Sequence, residues 1–153
     1  MKLWAIFGGL LTVGVLLISA CGEIRPLPPT IEPQNYTPIT YQQLLAPGKA
    51  NLRAGQKIRV QAYFWEFLTY DPAMVRNYLS LARHPLSWPK LRWFALYDTK
   101  EMKGYYELAA LDAARVHLYK VQRMDQVLIY GELASLGSGL YLHVHHLEKV
   151  AED

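Results

Sequence analysis

Two histidines near the end of the chain have a spacing that suits metal binding. His143 and His145 are separated by one residue, so on a β-strand both imidazoles would lie on one side, about 7 Å apart. A metal would need a further ligand from elsewhere, such as Glu132, His117 or Asp98. Because the sequence contains no second cluster of ligands, we expect surface histidines with hydrogen-bond partners, and we predict no metal and no cofactor. A metal-dependent or acid–base enzyme that uses this pair is the alternative.

Other catalytic arrangements have little support. The chain has no Gly-x-Ser-x-Gly motif and only one cysteine, so neither a serine elbow nor a cluster of thiolates can form. Glu66, Glu107 and Glu132 would suit an acid and a base in a hydrolase cleft, but nothing in the sequence predicts that cleft. We therefore predict a protein that is not an enzyme.

The residues before the single cysteine indicate its chemistry. A basic residue is followed by the uncharged stretch 3–18, about 24 Å long as a helix and thus shorter than the roughly 30 Å hydrocarbon core of a bilayer. The run Ile18-Ser19-Ala20-Cys21 resembles the lipobox of bacterial lipoprotein precursors. In that family the small residues admit the peptidase, and a lipid transferase alkylates the thiol.

This resemblance implies a location. It implies a diacylglyceryl group on Cys21, cleavage before it and acylation of the new N-terminus, so that residues 1–20 are a signal peptide and the acylated Cys21 binds the membrane. Gly22, which is not the Asp of the inner-membrane pattern, is compatible with export to an outer membrane. We expect the cell membrane or the outer membrane, with the protein facing the periplasm or the exterior. An uncleaved anchor helix or a free core thiol is the alternative.

Length and charge restrict the remaining function classes. The chain has 153 residues, of which 52% are hydrophobic, enough for one ordinary domain. Removal of residues 1–20 would leave 153 − 20 = 133 residues with a net charge of 15 − 13 = +2. This weak charge and the expected location argue against nucleic acid as a partner.

A proline-rich segment follows the cysteine. Six of the nine prolines lie within residues 21–47. Since proline lacks an amide donor and favours extended backbone, we expect this segment to be a semi-rigid spacer, with one helical turn near 40–45. The folded domain would then occupy residues 48–153.

Alternating apolar and polar residues predict five strands. Ile58, Val60, Ala62 and Phe64 would face the core from the first strand. Asp71-Pro72 indicates the start of an inserted helix, 72–83. A second helix at 113–123 competes with a strand there. The predicted strands are 57–66, 91–97, 105–111, 126–135 and 140–147.

The last two strands are predicted to form a hairpin. If Gly137-Ser138 is a two-residue turn, the numbers of opposite residues sum to 275, and the apolar residues of both strands share one face. The resulting pairs are Leu133 with Leu142, Gly131 with Val144, Glu132 with His143, and Tyr130 with His145. His146 would point the other way.

The element order predicts a mainly β domain in which five antiparallel strands close into a barrel with one or two short helices. In residues 55–60 (GQKIRV) and 127–133 (VLIYGEL) it resembles the OB-fold proteins of bacterial envelopes, over about residues 40–149. A different small barrel or an α+β roll is the alternative.

Aromatic residues are predicted on the face opposite the core. Such rings stack on sugars or form protein interfaces. We therefore predict a non-catalytic binding, scaffolding or accessory module that docks a partner protein or an envelope glycan. The rival is an envelope enzyme that uses His143 and His145. The docking residues would be Tyr63, Trp65, Tyr130 and Tyr141, with a second cluster of Tyr70, Tyr78, Trp88 and Trp93. The alternative is that the inserted helix and the spacer cover these rings.

Overall fold

Five long β-strands form the framework of the computed structural model, which describes residues 30–76 and 90–151. A two-residue strand, two short α-helices and two 3₁₀ turns accompany them. The strands are β1 (Thr37–Pro38), β2 (Lys57–Phe67), β3 (Leu91–Tyr97), β4 (Tyr106–Asp112), β5 (Gln126–Leu136) and β6 (Gly139–Lys149). The helices are α1 (Tyr41–Leu45) and α2 (Pro72–Arg76), and the 3₁₀ turns are Pro33–Asn35 and Ala113–Leu118.

The long strands close into a ring. The sheet order is β1-β2-β3-β4-β6-β5, and β2 also pairs with β5. β2 is long enough to pair with β5 along its first half and with β3 along its second. This is the five-stranded Greek-key barrel of the OB-fold, so the predicted mainly β, OB-like fold is confirmed.

The sequence predicted that all five long strands pair antiparallel, and this prediction is wrong for one pair. β4 and β6 run parallel, because the chain crosses the barrel after β4 and the β5–β6 hairpin then reverses it. The short β1 adds a sixth strand, parallel to β2.

Of the two predicted helices, the start of the first is confirmed and the second is of a different type. α2 begins at Pro72, as the Asp71-Pro72 pair predicts, and the Asp71 carboxylate accepts hydrogen bonds from the amides of Ala73 (2.7 Å) and Met74 (3.3 Å). The rest of the predicted helix 72–83 lies outside the described residues, as do the signal peptide and Cys21. The segment predicted as helix or strand at 113–123 is a single 3₁₀ turn followed by irregular chain. Within the described ranges, no helix is both long and apolar enough to cross a bilayer.

The barrel interior is filled by the alternate residues that the sequence assigns to it. Ile58, Val60, Ala62 and Phe64 are all at most 3% exposed, and they pack against Phe94 and its neighbours. Burial of each such large side chain stabilises the fold by about 1.5–3 kcal/mol. The other strands contribute Leu96, Ala109, Leu111, Val127, Ile129, Leu133, Leu142, Val144 and Leu147.

Residues before Gly48 belong to the folded unit. Tyr36, Tyr41 and Leu44 are buried, and α1 begins with a capping box in which Thr40 and Gln43 satisfy each other's backbone amides. The expected spacer, residues 21–47, is therefore packed on the barrel from Tyr36 onward. The helical turn predicted near 40–45 is confirmed.

The β5–β6 hairpin follows the predicted register up to a bulge. Leu133 pairs with Leu142, Glu132 with His143, and Gly131 with Val144. Between Tyr130 and Gly131 the register shifts, so that Tyr130 pairs with His146 and not, as predicted, with His145. An extra residue on one strand of an antiparallel pair produces this change.

Candidate binding surface

The usual ligand face of an OB-fold lies on its second and third strands, which are β3 and β4 here. In this chain the segment after β2 covers that face. Trp93, Ala95 and Ala110 are at most 2% exposed, because Leu68 and Ala73 pack over them. A ligand cannot reach these strands at this position. This second hydrophobic cluster also contains Leu136, with Trp65, Leu91, Leu108 and Tyr141 at its margin.

Tyr130 is not on the surface, although it was predicted as a docking residue. It is 3% exposed, and the Tyr36 ring packs against it edge to face at 5.3 Å between ring centres. The spacer therefore covers this part of the predicted face, as the alternative reading of the sequence proposed.

The other three predicted docking residues are half-buried and lie apart from Tyr130. Tyr141 contacts the ring of Trp93 at 5.3 Å and belongs to the margin of the second cluster. Tyr63 pairs with Tyr97 across the sheet. Trp65 contacts the Tyr97 ring at 5.5 Å.

Trp65 belongs to a group of rings that reaches solvent. Tyr97 contacts Trp65 and also Tyr105, each at 5.5 Å between ring centres. Tyr70 and Tyr105 are 49% and 46% exposed, and Tyr105 is among the side chains that interact with the Tyr70 hydroxyl. We call Trp65, Tyr70, Tyr97 and Tyr105 the aromatic patch. It follows the outside of β2 and β3 to the start of β4.

Charged side chains hold the rings of the patch in place. The Arg123 guanidinium lies 4.6 Å above the Trp65 ring and pairs with Glu66. The Tyr70 hydroxyl donates a hydrogen bond to the Glu107 carboxylate at 2.5 Å. The hydrogen bond to Glu107, together with the interaction with Tyr105, raises the pKa of Tyr70, so its hydroxyl is a neutral donor at physiological pH. The rings are therefore positioned before any partner arrives.

A cleft of about 460 Å³ adjoins the patch. It lies between α1 and the start of β4, and Tyr105 belongs to both the cleft and the patch. Leu44, Leu45, Leu108 and Leu140 form its apolar part. Its volume is within the range of ligand-sized clefts, so it extends the accessible apolar surface beside Tyr105.

The histidines of β6 are in a different place, on the outside of β5 and β6. His143 Nε2 lies 3.0 Å from an Asp112 carboxylate oxygen, and His145 Nδ1 lies 2.9 Å from the Tyr36 hydroxyl. His146 was predicted to point away from His143 and His145. Because of the bulge, its ring instead contacts Tyr130 and Tyr119. Among the described residues, no three His, Cys, Asp or Glu side chains are grouped so that they could hold a metal ion.

Sequence reasoning missed most of the aromatic patch. It found Trp65, and it placed Tyr70 in a second cluster, but it did not find Tyr97, Tyr105 or Arg123. Tyr97 is the last residue of β3, and Tyr105 directly precedes β4. Because these two strands are neighbours joined by a turn, the contact between the two rings could have been inferred from the sequence. Arg123 comes from a connection whose course only the fold reveals.

Comparison with known proteins gives similarity in structure only. No protein-family model and no curated protein matches the chain. An OBody bound to hen egg-white lysozyme is 14% identical with a TM-score of 0.41, covering 65% of this chain and 83% of its own. The S. pombe Stn1–Ten1 complex is 13% identical with a TM-score of 0.42, covering 80% and 81%. The second OB-fold domain of replication protein A from Methanococcus maripaludis is 13% identical with a TM-score of 0.41, covering 65% and 89%. These likenesses assign no ligand to this chain.

Proposed function

We propose that this protein is a lipid-anchored, extracytoplasmic binding module without catalytic activity, which holds a partner protein at its aromatic patch. The observation that carries the proposal is the exposure of Tyr70 and Tyr105, nearly half of each, beside Trp65 and Tyr97. Large amphipathic rings in fixed positions bind with little loss of conformational entropy. Clusters of Tyr, Trp and Arg are typical of the energetically important centres of protein interfaces.

The geometry of the patch favours a protein over a glycan. A sugar ring stacks on a free, flat aromatic face, but Arg123 already covers one face of Trp65. Tyr97 meets Trp65 at an interplanar angle of 81°, so the rings do not form a shared flat platform. A protein partner can insert side chains between such tilted rings and into the adjoining cleft.

Tyr36 and the aromatic patch lie on different parts of the barrel. The N-terminal segment contacts β5 and β6 through Tyr36, and in the closed ring of strands the position across from that pair is β3. The patch runs from Trp65 on β2 to Tyr97 at the end of β3. It is therefore not covered by Tyr36 and stays accessible to a partner.

The short segment between Cys21 and the described chain supports a role in binding partners close to the membrane. Nine residues, 21–29, separate the proposed lipid from the described chain, a reach of about 28 Å at about 3.1 Å per residue for a proline-rich segment. Confinement to a membrane raises the effective concentration of any partner in the same envelope. A modest intrinsic affinity would then suffice.

Site-specific crosslinking tests the patch. A photoreactive phenylalanine analogue that replaces Tyr105 in cells should crosslink to one discrete protein, and Tyr70→Ser in the same chain should reduce that product at least tenfold, as expected for an interface hot spot. The same analogue at the exposed His117, on the 3₁₀ turn away from the patch, is the control. Crosslinking to glycan or lipid alone, or equal products from both positions, would refute the proposed partner class.

The anchor has an independent test. The intact mass of the membrane-extracted protein should correspond to residues 21–153 plus acyl groups. Cys21→Ser should leave an unlipidated precursor with residues 1–20 attached. A wild-type protein that keeps those residues and carries no acyl group would contradict the proposed location while leaving the patch untouched.

A further inference from the structure

The segment between the proposed anchor and the barrel is fastened at one side chain. We call residues 33–38 the strap. Tyr36 is its one buried residue, 7% exposed, and its ring packs edge to face on Tyr130 at 5.3 Å and on His145 at 5.9 Å. Beyond Tyr36, two-residue β1 pairs with β2, and the Ile39 amide donates to the Arg59 carbonyl at 3.0 Å.

The Tyr36 hydroxyl and His145 Nδ1, 2.9 Å apart, form the strap's side-chain hydrogen bond to the barrel. When His145 is neutral with its proton on Nε2, Nδ1 accepts from the phenol. When His145 is protonated, Nδ1 becomes a donor to the phenol oxygen, so the phenol hydrogen must turn to another acceptor and the positive charge stays in a half-buried site. Burial raises the pKa of Tyr36, with Glu132 adding to the effect, so the phenol does not ionise at physiological pH.

The surroundings of His145 disfavour a positive charge. The ring is half-buried, and the His143 ring lies 5.7 Å away. Arg115 donates to the His145 carbonyl at 3.4 Å. Burial is the main cause that lowers the pKa of His145, and His143, Lys57 and Arg115 lower it further, against an opposing effect of Glu132. The groups that face His145 are Tyr36 on the strap, Lys57 on β2, Glu132 on β5, His143 on β6 and Arg115 on the 3₁₀ turn.

We propose that the strap is a pH-dependent latch, in which protonation of His145 unseats Tyr36 and releases residues 33–38 from the barrel. A released strap leaves His145 in water, where it binds a proton more readily than in the packed state. By linkage, the packed state is fully favoured above the usual histidine pKa of about 6.5, and it loses stability as the pH falls through the lowered pKa of His145.

Release would change how far the barrel stands from its anchor. Residues 30–38 would no longer be held on the barrel, and these nine residues add about 28 Å of reach at about 3.1 Å per residue. Acidification of the compartment would thus increase the distance that the barrel can reach from Cys21, without unfolding the barrel.

Hydrogen exchange on the full chain tests the latch. The protection of the Ile39 amide, corrected for the intrinsic effect of pH on exchange, should fall several-fold from about pH 7.5 to about pH 5. The amides of β5 that pair with β2 should keep their protection, because the barrel stays closed. Constant protection of Ile39, or a parallel loss in β5, would overturn the proposal.

Three variants separate the latch from general acid sensitivity. His145→Gln should make the Ile39 protection independent of pH. Tyr36→Phe should lower it at every pH but keep its pH dependence, since the burial of His145 remains. His117→Gln, at an exposed histidine, should behave like the wild type. Should His145→Gln fail to fold, the NMR signals of the His145 and Tyr36 rings in the wild type should titrate with one midpoint, and separate midpoints would refute the proposal.

Discussion

Gly131 is the position where the barrel has no room for a side chain. It lies in the middle of β5, where it pairs with Ile58 on one side and Val144 on the other. A Cβ atom added there would lie 2.6 Å from the His143 carbonyl oxygen and 2.8 Å from a Leu142 methyl carbon. The first of these neighbours is backbone, held in the β5–β6 ladder, so it cannot rotate away. Gly131→Ala is therefore expected to be strongly destabilising.

The size of the effect follows from the overlap. Ordinary contacts of a Cβ begin at 3.4 Å, so the approach to the His143 oxygen must widen by 3.4 − 2.6 = 0.8 Å. Overpacking of a core by one carbon costs typically 1–3 kcal/mol, and the upper end applies where backbone must move. We expect a loss of about 3 kcal/mol in the free energy of unfolding, a large share of the 5–15 kcal/mol of a typical domain.

Urea denaturation followed by tryptophan fluorescence measures this loss. With an m-value of about 2 kcal/mol per molar, the midpoint of Gly131→Ala should fall by about 1.5 M at unchanged m. The matched control is Gly139→Ala in the same hairpin, where the added Cβ would meet only the Leu136 carbonyl at 3.6 Å and stability should stay within about 0.5 kcal/mol. A change of less than about 0.5 kcal/mol for Gly131→Ala would refute the close approach of β5 and β6.

Substitutions at two further sites test local features. Burial raises the pKa of Tyr41, whose hydroxyl donates to the Gly104 carbonyl at 2.6 Å. The folded state should therefore lose stability as the pH rises above about 10, the usual tyrosine pKa, and Tyr41→Phe should reduce that alkaline loss in denaturation curves while costing about 1 kcal/mol at neutral pH. Asp71→Ala removes the acceptor for the Ala73 and Met74 amides and should cost about 1 kcal/mol by thermal melting, whereas Asp71→Asn, which can still cap, should cost much less.

Local signals in the sequence identified the five long strands and most of the register of the β5–β6 hairpin. The alternation in β2 predicted which residues face the core, and a two-residue turn at Gly137-Ser138 fixed the pairing of Leu133 with Leu142. Asp71 before Pro72 marked the start of α2. These features depend on neighbours in the chain, so the sequence contains them directly.

Features that depend on distant residues were not predictable in the same way. The bulge between Tyr130 and Gly131 shifts the pairing by one residue. A glycine inside a strand is compatible with a bulge, but it does not determine which strand carries the extra residue. Residues 21–47 were expected to form a semi-rigid spacer because of their six prolines. Instead Tyr36 packs on Tyr130, and Tyr41 and Leu44 are buried as well. The aromatic patch requires the β2–β3 and β3–β4 pairings to be known first.

The closure of the ring by β2 and β5 also determines when the protein can fold. The paired residues are 126 − 63 = 63 to 132 − 57 = 75 positions apart, so a nascent polypeptide that ends before β5 leaves half of β2 with unsatisfied backbone donors and acceptors. Such an open edge is a template for association with other polypeptides. Topologies dominated by contacts this remote fold in milliseconds to seconds, and for that interval a chaperone that shields β2 would protect the newly made protein from aggregation.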